Sequence, residues 1–272
     1  MTEGGPQREC AQFDERRLEL RNRWLAHAAV STAQGILLER YHLASMQEAF
    51  DLLRETSQRC NVKLHTLADA VVRAPSPQGR AVAWFPGRGR SAPPPLPQLD
   101  VDASREQTRS AVLQAALERV VQITQTDMGD VQLVESGMLR LDKHTGLNQY
   151  FTDFFAFVDG ATTSCAQAAV RRQQVTVPDV AAATVFDEES RAAILQAGSH
   201  ACHSVPLINE SGVLTGVVSS HHATPLTGFT RAQIDAMRET GTAVGNWLSW
   251  YRRTVVLDAL EHLHQIAGRR VT

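Results

Sequence analysis

The chain has 272 residues, 43% of them apolar, and a formal net charge of −2. That is enough for two ordinary domains, each with a core, and too nearly neutral for a protein coated with nucleic acid, so any nucleic-acid contact must be local. The four cysteines, Cys10, Cys60, Cys165 and Cys202, form no CxxC pair. This excludes the usual zinc and secreted-disulfide patterns and fits reduced thiols in a cytoplasmic protein. The N-terminus has no apolar leader core, and no stretch approaches the ~20 apolar residues that cross a bilayer.

In chain order, the first expected element is a helix carrying Phe13, Leu18, Leu20, Trp24, Leu25 and Ala28, more apolar surface than a lone helix exposes, which points to pairing with a second copy. Its continuation places Ala29, Val30, Ala33, Ile36, Leu37 and Tyr41 on one stripe. Ser45 and Glu48 form a capping-box pattern that starts a second helix at Met46, burying Ala49, Phe50, Leu52 and Leu53. Asn61 is expected to cap a third helix in which Leu64, Leu67, Ala68, Val71 and Val72 repeat at helical spacing, stopped by Pro75 and Pro77. The polar residues left outside fit two readings, a solvated face or a cationic surface for a phosphate backbone.

Ala33, Gly35-Ile36-Leu37, Glu48-Ala49-Phe50, Leu53-Arg54, Lys63-Leu64 and Ala68 together resemble the ANTAR domain, the RNA-binding module of bacterial transcription antiterminators. Gln34 stands where that family usually has Lys, which removes a charge from the expected contact face. Leu38 replaces the usual Met and keeps the apolar volume. The resemblance implies recognition of hairpins in nascent transcripts, with Gln34, Gly35, Arg40, Tyr41, Arg54, Arg59, Lys63, His65 and Arg73 as candidate RNA contacts. Tyr41 and His42 are candidate stacking groups, and Tyr41 has an inward-packing alternative.

Residues 74–104 turn to Pro, Gly, Arg and Ser, including Pro86-Gly87-Arg88-Gly89-Arg90, and read as a semi-rigid linker. Arg88 and Arg90 are either solvated or an auxiliary phosphate contact. Beyond it the pattern predicts a helix over 112–123, a strand pair over 131–134 and 138–141 around Ser136-Gly137, and helices over 150–158 and 165–172. A strand over 175–177, strands over 201–208 and 213–220 joined by Asn209-Glu210-Ser211-Gly212, and a helix over 231–266 follow.

That order, with Cys165-Ala166-Gln167-Ala168, Val175-Thr176-Val177-Pro178-Asp179-Val180, Ala197-Gly198, Ser204-Val205-Pro206-Leu207 and Leu214-Thr215-Gly216-Val217, resembles a GAF domain, a small-molecule sensor related to PAS domains. A bilin is not implied, since no chromophore-attachment sequence is present.

Phe151, Phe155, Cys165, His203 and His221 are the tentative ligand-pocket set, each with a core-packing alternative. His200 and His203 would point to opposite faces of a strand, which argues against metal or haem. Walker, GxSxG and HExxH patterns are absent, so catalysis is not expected. A free-methionine-sulfoxide reductase would share the fold but needs more cysteines than Cys165 and Cys202.

The expected fold is α+β: a three-helix bundle with a long leading helix over 12–73, a linker over 74–104, and an antiparallel sheet flanked by helices over 105–266. The expected function is that of a cytoplasmic, homodimeric antitermination regulator that binds RNA under control of a small-molecule signal and needs no metal or cofactor. The alternative is a ligand-sensing dimeric interaction protein whose helical unit no longer binds RNA.

Overall fold

The structure, a computed structural model, describes residues 5–77, 83–99 and 107–270. Linker residues 78–82 and 100–106 and the side chain of Phe13 lie outside the described residues. The chain divides into two compact units, Met1–Ala92 with Trp250–Thr272, and Pro93–Ser249. The expected division gave the whole terminal helix to the second domain. By packing, its last turns belong to the first.

Unit 1 opens with α1 (Gly5–Tyr41), followed by α2 (Met46–Arg59) and α3 (Leu64–Arg73). The stripe Val30, Ala33, Leu37 and Tyr41 is buried, as expected from its helical spacing. At α2 the Ser45 hydroxyl accepts from Glu48 N at 3.2 Å, and the Glu48 carboxylate reaches back to Ala44 N at 2.8 Å. One bond serves a first-turn donor of α2 and the other ties the chain just before the cap to that turn. Asn61 does not cap α3. It takes φ +50° just after α2, and Val62 N donates to Ser57 O at 3.1 Å, so it closes α2 with the left-handed residue that Asn tolerates. Lys63 occupies the start of α3 without a side-chain cap.

Unit 2 begins with α4 (Arg109–Thr124), capped by the Thr108 hydroxyl. Then come β1 (Met128–Glu135), β2 (Met138–Thr145), α5 (Gln149–Phe154), β3 (Phe157–Val158), α6 (Ser164–Arg171), β4 (Val175–Val177), α7 (Glu188–Gln196), β5 (Ala201–Ile208), β6 (Leu214–His222) and α8 (Arg231–Tyr251). The helix expected over 150–158 stops at Phe154, because Phe157 and Val158 pair antiparallel with Arg140 and Leu139. Six antiparallel strands lie in the order β3-β2-β1-β6-β5-β4.

Residues alternate between the two faces of this sheet. The inner face carries Met128, Leu139, Cys202 and Val217 and packs on α5, α6 and α7 through Phe151, Phe155, Cys165, Ala168 and Ile194. The outer face receives α4 and α8 at glycines. A Cβ on Gly129 would lie 2.9 Å from Leu117 and from Val121, and one on Gly245 would lie 2.5 to 2.7 Å from the backbone of Ile208. At the N-terminus of α4, buried Arg109 meets Asp142 at 2.6 Å and Glu135 at 3.6 Å.

After α8 the chain makes a π-helical turn, Arg252–Val256, and continues as α9 (Leu257–Arg270). The extra residue re-phases the helix: one buried stripe runs Val244, Leu248, Tyr251, then Val256, Leu260, Leu263 and Ala267, with Trp247 and Ala259 buried beside it. The step of five at the π turn falls between steps of three and four.

Gly245→Ala gains up to about 1 kcal/mol of helix propensity but drives a methyl into backbone that cannot retreat. It is expected to destabilise unit 2 by about 1–3 kcal/mol net in urea melts. Gly35→Ala, whose Cβ would meet nothing within 4 Å, should stabilise unit 1 by up to about 1 kcal/mol.

Candidate functional site

Two surfaces hold the candidate residues, one on each unit. On unit 1, Arg54, Arg59, Lys63 and Arg73 are exposed and His65 is half-buried. Arg54 pairs with Asp51 at 2.9 Å, and Arg73 pairs with Asp69, each along its own helix. Arg59 and Lys63 flank the tight turn between α2 and α3, an arrangement that projects cations from a fixed corner.

The remaining unit 1 candidates are engaged internally. The Gln34 amide donates to Met46 O at 2.9 Å, so it fastens α1 to the first turn of α2. Tyr41 is buried, with its hydroxyl 2.8 Å from His264 Nδ1 on α9, and burial raises its pKa to about 12. Of the two orientations open from sequence, it adopts the inward one. Arg40 lies over the Trp84 ring, 4.7 Å from its centroid, and reaches Ser76 Oγ at 3.3 Å, while burial lowers its pKa. Gly35 lies half-buried in mid-helix, and His42 is exposed with φ +48° where α1 ends.

Arg88 is half-buried and takes neither of the roles expected for it, while Arg90 stays exposed, as the solvated reading had it. Both pair with Asp258, Arg90 at 3.0 Å, and Arg88 also donates to the carbonyls of Arg253 and Thr254 at 2.9 and 3.0 Å. Those carbonyls belong to the π turn, where Thr254 O also accepts from Leu257 N, so Arg88 adds a donor to the turn's own bonding.

On unit 2 the five pocket candidates do not form one site. Phe151, Phe155, Cys165 and His221 gather at the inner face, with Phe151 and His221 edge to face at 5.0 Å between centroids. His203 is on the outer face, fully buried. Its Nδ1 is 2.8 Å from Thr176 Oγ1 and its Nε2 is 2.8 Å from Gln174 Oε1. Burial first, and neighbouring His222 second, press its pKa down to about 4, so it is neutral at pH 7.

The inner face also holds a buried polar group that the sequence reading did not single out. His221 Nε2 is 3.1 Å from Asp130 Oδ1, and His221 Nδ1 is 3.0 Å from Ser199 Oγ. Ser204 donates to Ser164 at 3.1 Å and lies 3.0 Å from the Ser219 hydroxyl, while Ser164 is 3.2 Å from Cys202 Sγ. Gln132 donates to Phe155 O at 3.2 Å, but its own Oε1 is buried without a partner.

A buried acceptor left unpaired costs about 1–3 kcal/mol, so this position favours a hydrogen-bond donor brought in from outside. The available signal was polar alternation inside apolar strands: Asp130 and Gln132, Cys202 and Ser204, Ser219 and His221 are each two apart.

The thiols at this face are buried. Burial pushes Cys165 and Cys202 up to about 12, leaving both protonated near neutral pH. Among the described residues no group of three or more His, Cys, Asp or Glu is arranged to hold a metal ion.

A groove of about 690 Å³ opens on the outer side beside Arg172, Ile208, Ile234 and Arg238. Its Asp235 carboxylate accepts from Arg238 at 2.7 Å and from Arg231 at 3.0 Å, which neutralises most of the local charge and holds Asp235 below the usual carboxylate range.

A family model described as the ANTAR domain matches residues 18–72, and one described as the GAF domain matches residues 108–247. No curated protein matches the chain. Among solved structures, the chain is similar to a domain of a putative two-component sensor histidine kinase from Sinorhizobium meliloti 1021, at 19% identity and a TM-score of 0.44, over 52% of this chain and 90% of that one. It is similar to the GAF domain of a phosphoenolpyruvate-protein phosphotransferase from Coxiella burnetii, at 12% identity and a TM-score of 0.44, over 74% and 93% of the respective chains. A type II free methionine-R-sulfoxide reductase from Thermoplasma acidophilum is 14% identical with a TM-score of 0.40, over 50% and 88%.

His203 takes up its proton in the unfolded chain near pH 6.5 and in the folded one only near pH 4. Its contribution to stability is therefore complete above about pH 6.5 and is lost as pH falls towards 4. In urea melts at pH 7.5 and pH 5, wild type should lose about 2 kcal/mol relative to His203→Gln. Parallel losses in the two proteins would remove His203 as the cause.

Proposed function

The chain belongs to the GAF family, whose model covers just over half of it, and carries an ANTAR domain ahead of that unit; from this premise we propose that it is a signal-responsive antitermination regulator that binds RNA hairpins. The observation that carries the reading is the fixed corner between α2 and α3, where exposed Arg59 and Lys63 flank a turn held by Asn61 within the ANTAR match. Cations held on a rigid corner meet phosphates without first being ordered. Arg54 and Arg73, each paired with an aspartate one turn away, lie exposed on the same two helices.

In this reading unit 2 is the sensor, and its ligand enters the inner face, where Gln132 Oε1 lacks a donor and Asp130, His221 and the serine hydroxyls supply polar contacts beside Phe151 and Phe155. The unit acts by binding rather than catalysis, in keeping with thiols that stay protonated. The active form is a homodimer formed through α1, on which Leu20 and Trp24, one turn apart, are 64% and 70% exposed. The protein works in the cytoplasm; no helix among the described residues is long and apolar enough to cross a membrane.

A second reading, in which the helical unit only mediates protein contacts, is favoured by Gln34, which lacks the usual charge and is tied to Met46.

Fluorescence anisotropy with hairpin transcripts over a salt series separates the two. RNA binding predicts a Kd that weakens steeply with salt. In Arg59→Ala/Lys63→Ala the affinity falls and the log–log salt slope shrinks by about 2. Hairpins that fail to bind a folded protein at low salt would leave the second reading.

A further inference from the structure

We propose that the segment 84–90 and helix α9 form a latch over the end of α1, and that unit 1 as described is the closed form of its RNA-binding surface. The inference rests on the RNA-binding reading above and adds to it a residue, Arg40, that contacts phosphate only after the latch opens.

The latch is a set of specific bonds. Glu261 on α9 accepts from two successive backbone N–H groups, Trp84 at 3.0 Å and Phe85 at 2.5 Å. The Trp84 indole donates to Pro75 O at 2.8 Å, is buried, and stacks on Phe85. Asp258, one turn before Glu261, takes both Arg88 and Arg90. His264, one turn after it, holds the Tyr41 hydroxyl. One face of α9 thus grips the strap by two carboxylates and the end of α1 by an imidazole.

What the latch covers is poorly satisfied. Arg40 is pressed under the Trp84 ring, and although it lies near the Tyr41 hydroxyl, its Nε and Nη1 are buried with no hydrogen bond. Beside its interaction with the Tyr41 hydroxyl, it has a bond from Nη2 to Ser76 Oγ that is long at 3.3 Å. A guanidinium with a fork of unmet donors is a group built for a planar anion, and phosphate oxygens supply what Trp84 does not. The closed state therefore withholds a strong phosphate ligand and pays for it in unmade bonds, so modest weakening of the two carboxylate contacts releases it.

Control has a covalent route. Helix α9 continues from α8 of the sensor unit through the π turn, and Arg88 caps two carbonyls of that turn. A change in helix phase there alters the strap's own anchor.

The test uses the full chain. Glu261→Gln combined with Asp258→Asn keeps shape and removes the charges. Arg88→Gln is the second variant, should the first lose helical circular dichroism. Trypsin cleavage after Arg88 and Arg90 reads opening of the strap, and anisotropy with labelled RNA hairpins reads the surface.

Released variants should be cleaved about tenfold faster and bind RNA about tenfold more tightly, as expected when the competent fraction rises by that factor. Adding Arg40→Gln should cancel the gain in affinity while leaving the faster cleavage. Unchanged cleavage, or faster cleavage with wild-type RNA affinity, overturns the latch and leaves the RNA reading intact. Faster cleavage with no RNA binding by any form sinks the RNA reading, and the latch's role in it.

Discussion

Successive side chains of a β-strand leave the sheet on opposite sides, and nearly everything that distinguishes the two faces of unit 2 follows from that two-residue period. His203 and His221 sit on adjacent paired strands, with His203 opposite Ser220 and His221 opposite Cys202. One residue of register therefore decides that His203 joins Gln174 and Thr176 under the outer helices while His221 joins Asp130 and Ser199 inside. The outer face is closed where glycines let α4 side chains and α8 backbone come up against the strands. The inner face is closed by aromatic rings over polar groups, one of which, Gln132, has an acceptor to spare. A sheet whose outer polar groups are all paired under helices, and whose inner face leaves the Gln132 acceptor unpaired, is suited to holding a shape on one side and reading a solute on the other.

Unit 1 is completed by parts distant in sequence. Helix α9 supplies part of its core: Leu260, Leu263 and Ala267 are fully buried, and α9 packs on α2 and α3. Exposed ion pairs such as Arg54–Asp51 add little. The carboxylate of Glu261 differs in kind, because it accepts from two backbone donors that the strap has no other way to satisfy.

Local signals were legible in the sequence. The stripe of α1, the capping box at Ser45 and Glu48, the strand pair about Ser136-Gly137 and the turn at Asn209–Gly212 are each set by residues within a few positions. Asn61 misled because Asn serves equally at a helix start and in the left-handed position after a helix end. Only the neighbouring bond from Val62 to Ser57 separates the two. The 150–158 segment misled because its aromatic spacing suits a helix throughout, while pairing of Phe157 and Val158 with β2 is a long-range event. The partners of Arg40, Tyr41, Arg88 and Arg90 lie up to 223 residues away along the chain, beyond the reach of any spacing rule. The inner polar set was readable in principle as alternating Asp130/Gln132 and Ser219/His221, but only once the strands that carry them were paired.

The π turn has an evolutionary corollary. The buried positions of the terminal helix fall into two series, through Tyr251 and from Val256, offset by one residue. A single inserted codon between them is the simplest origin of such an offset, since it lets each half of the helix keep the side chains that already fitted its own core. In a related chain whose terminal helix runs unbroken, an alignment should open a one-residue gap between Tyr251 and Leu257. If it does not, the acidic pair at Asp258 and Glu261 would stand about 100° around the helix from where it stands here.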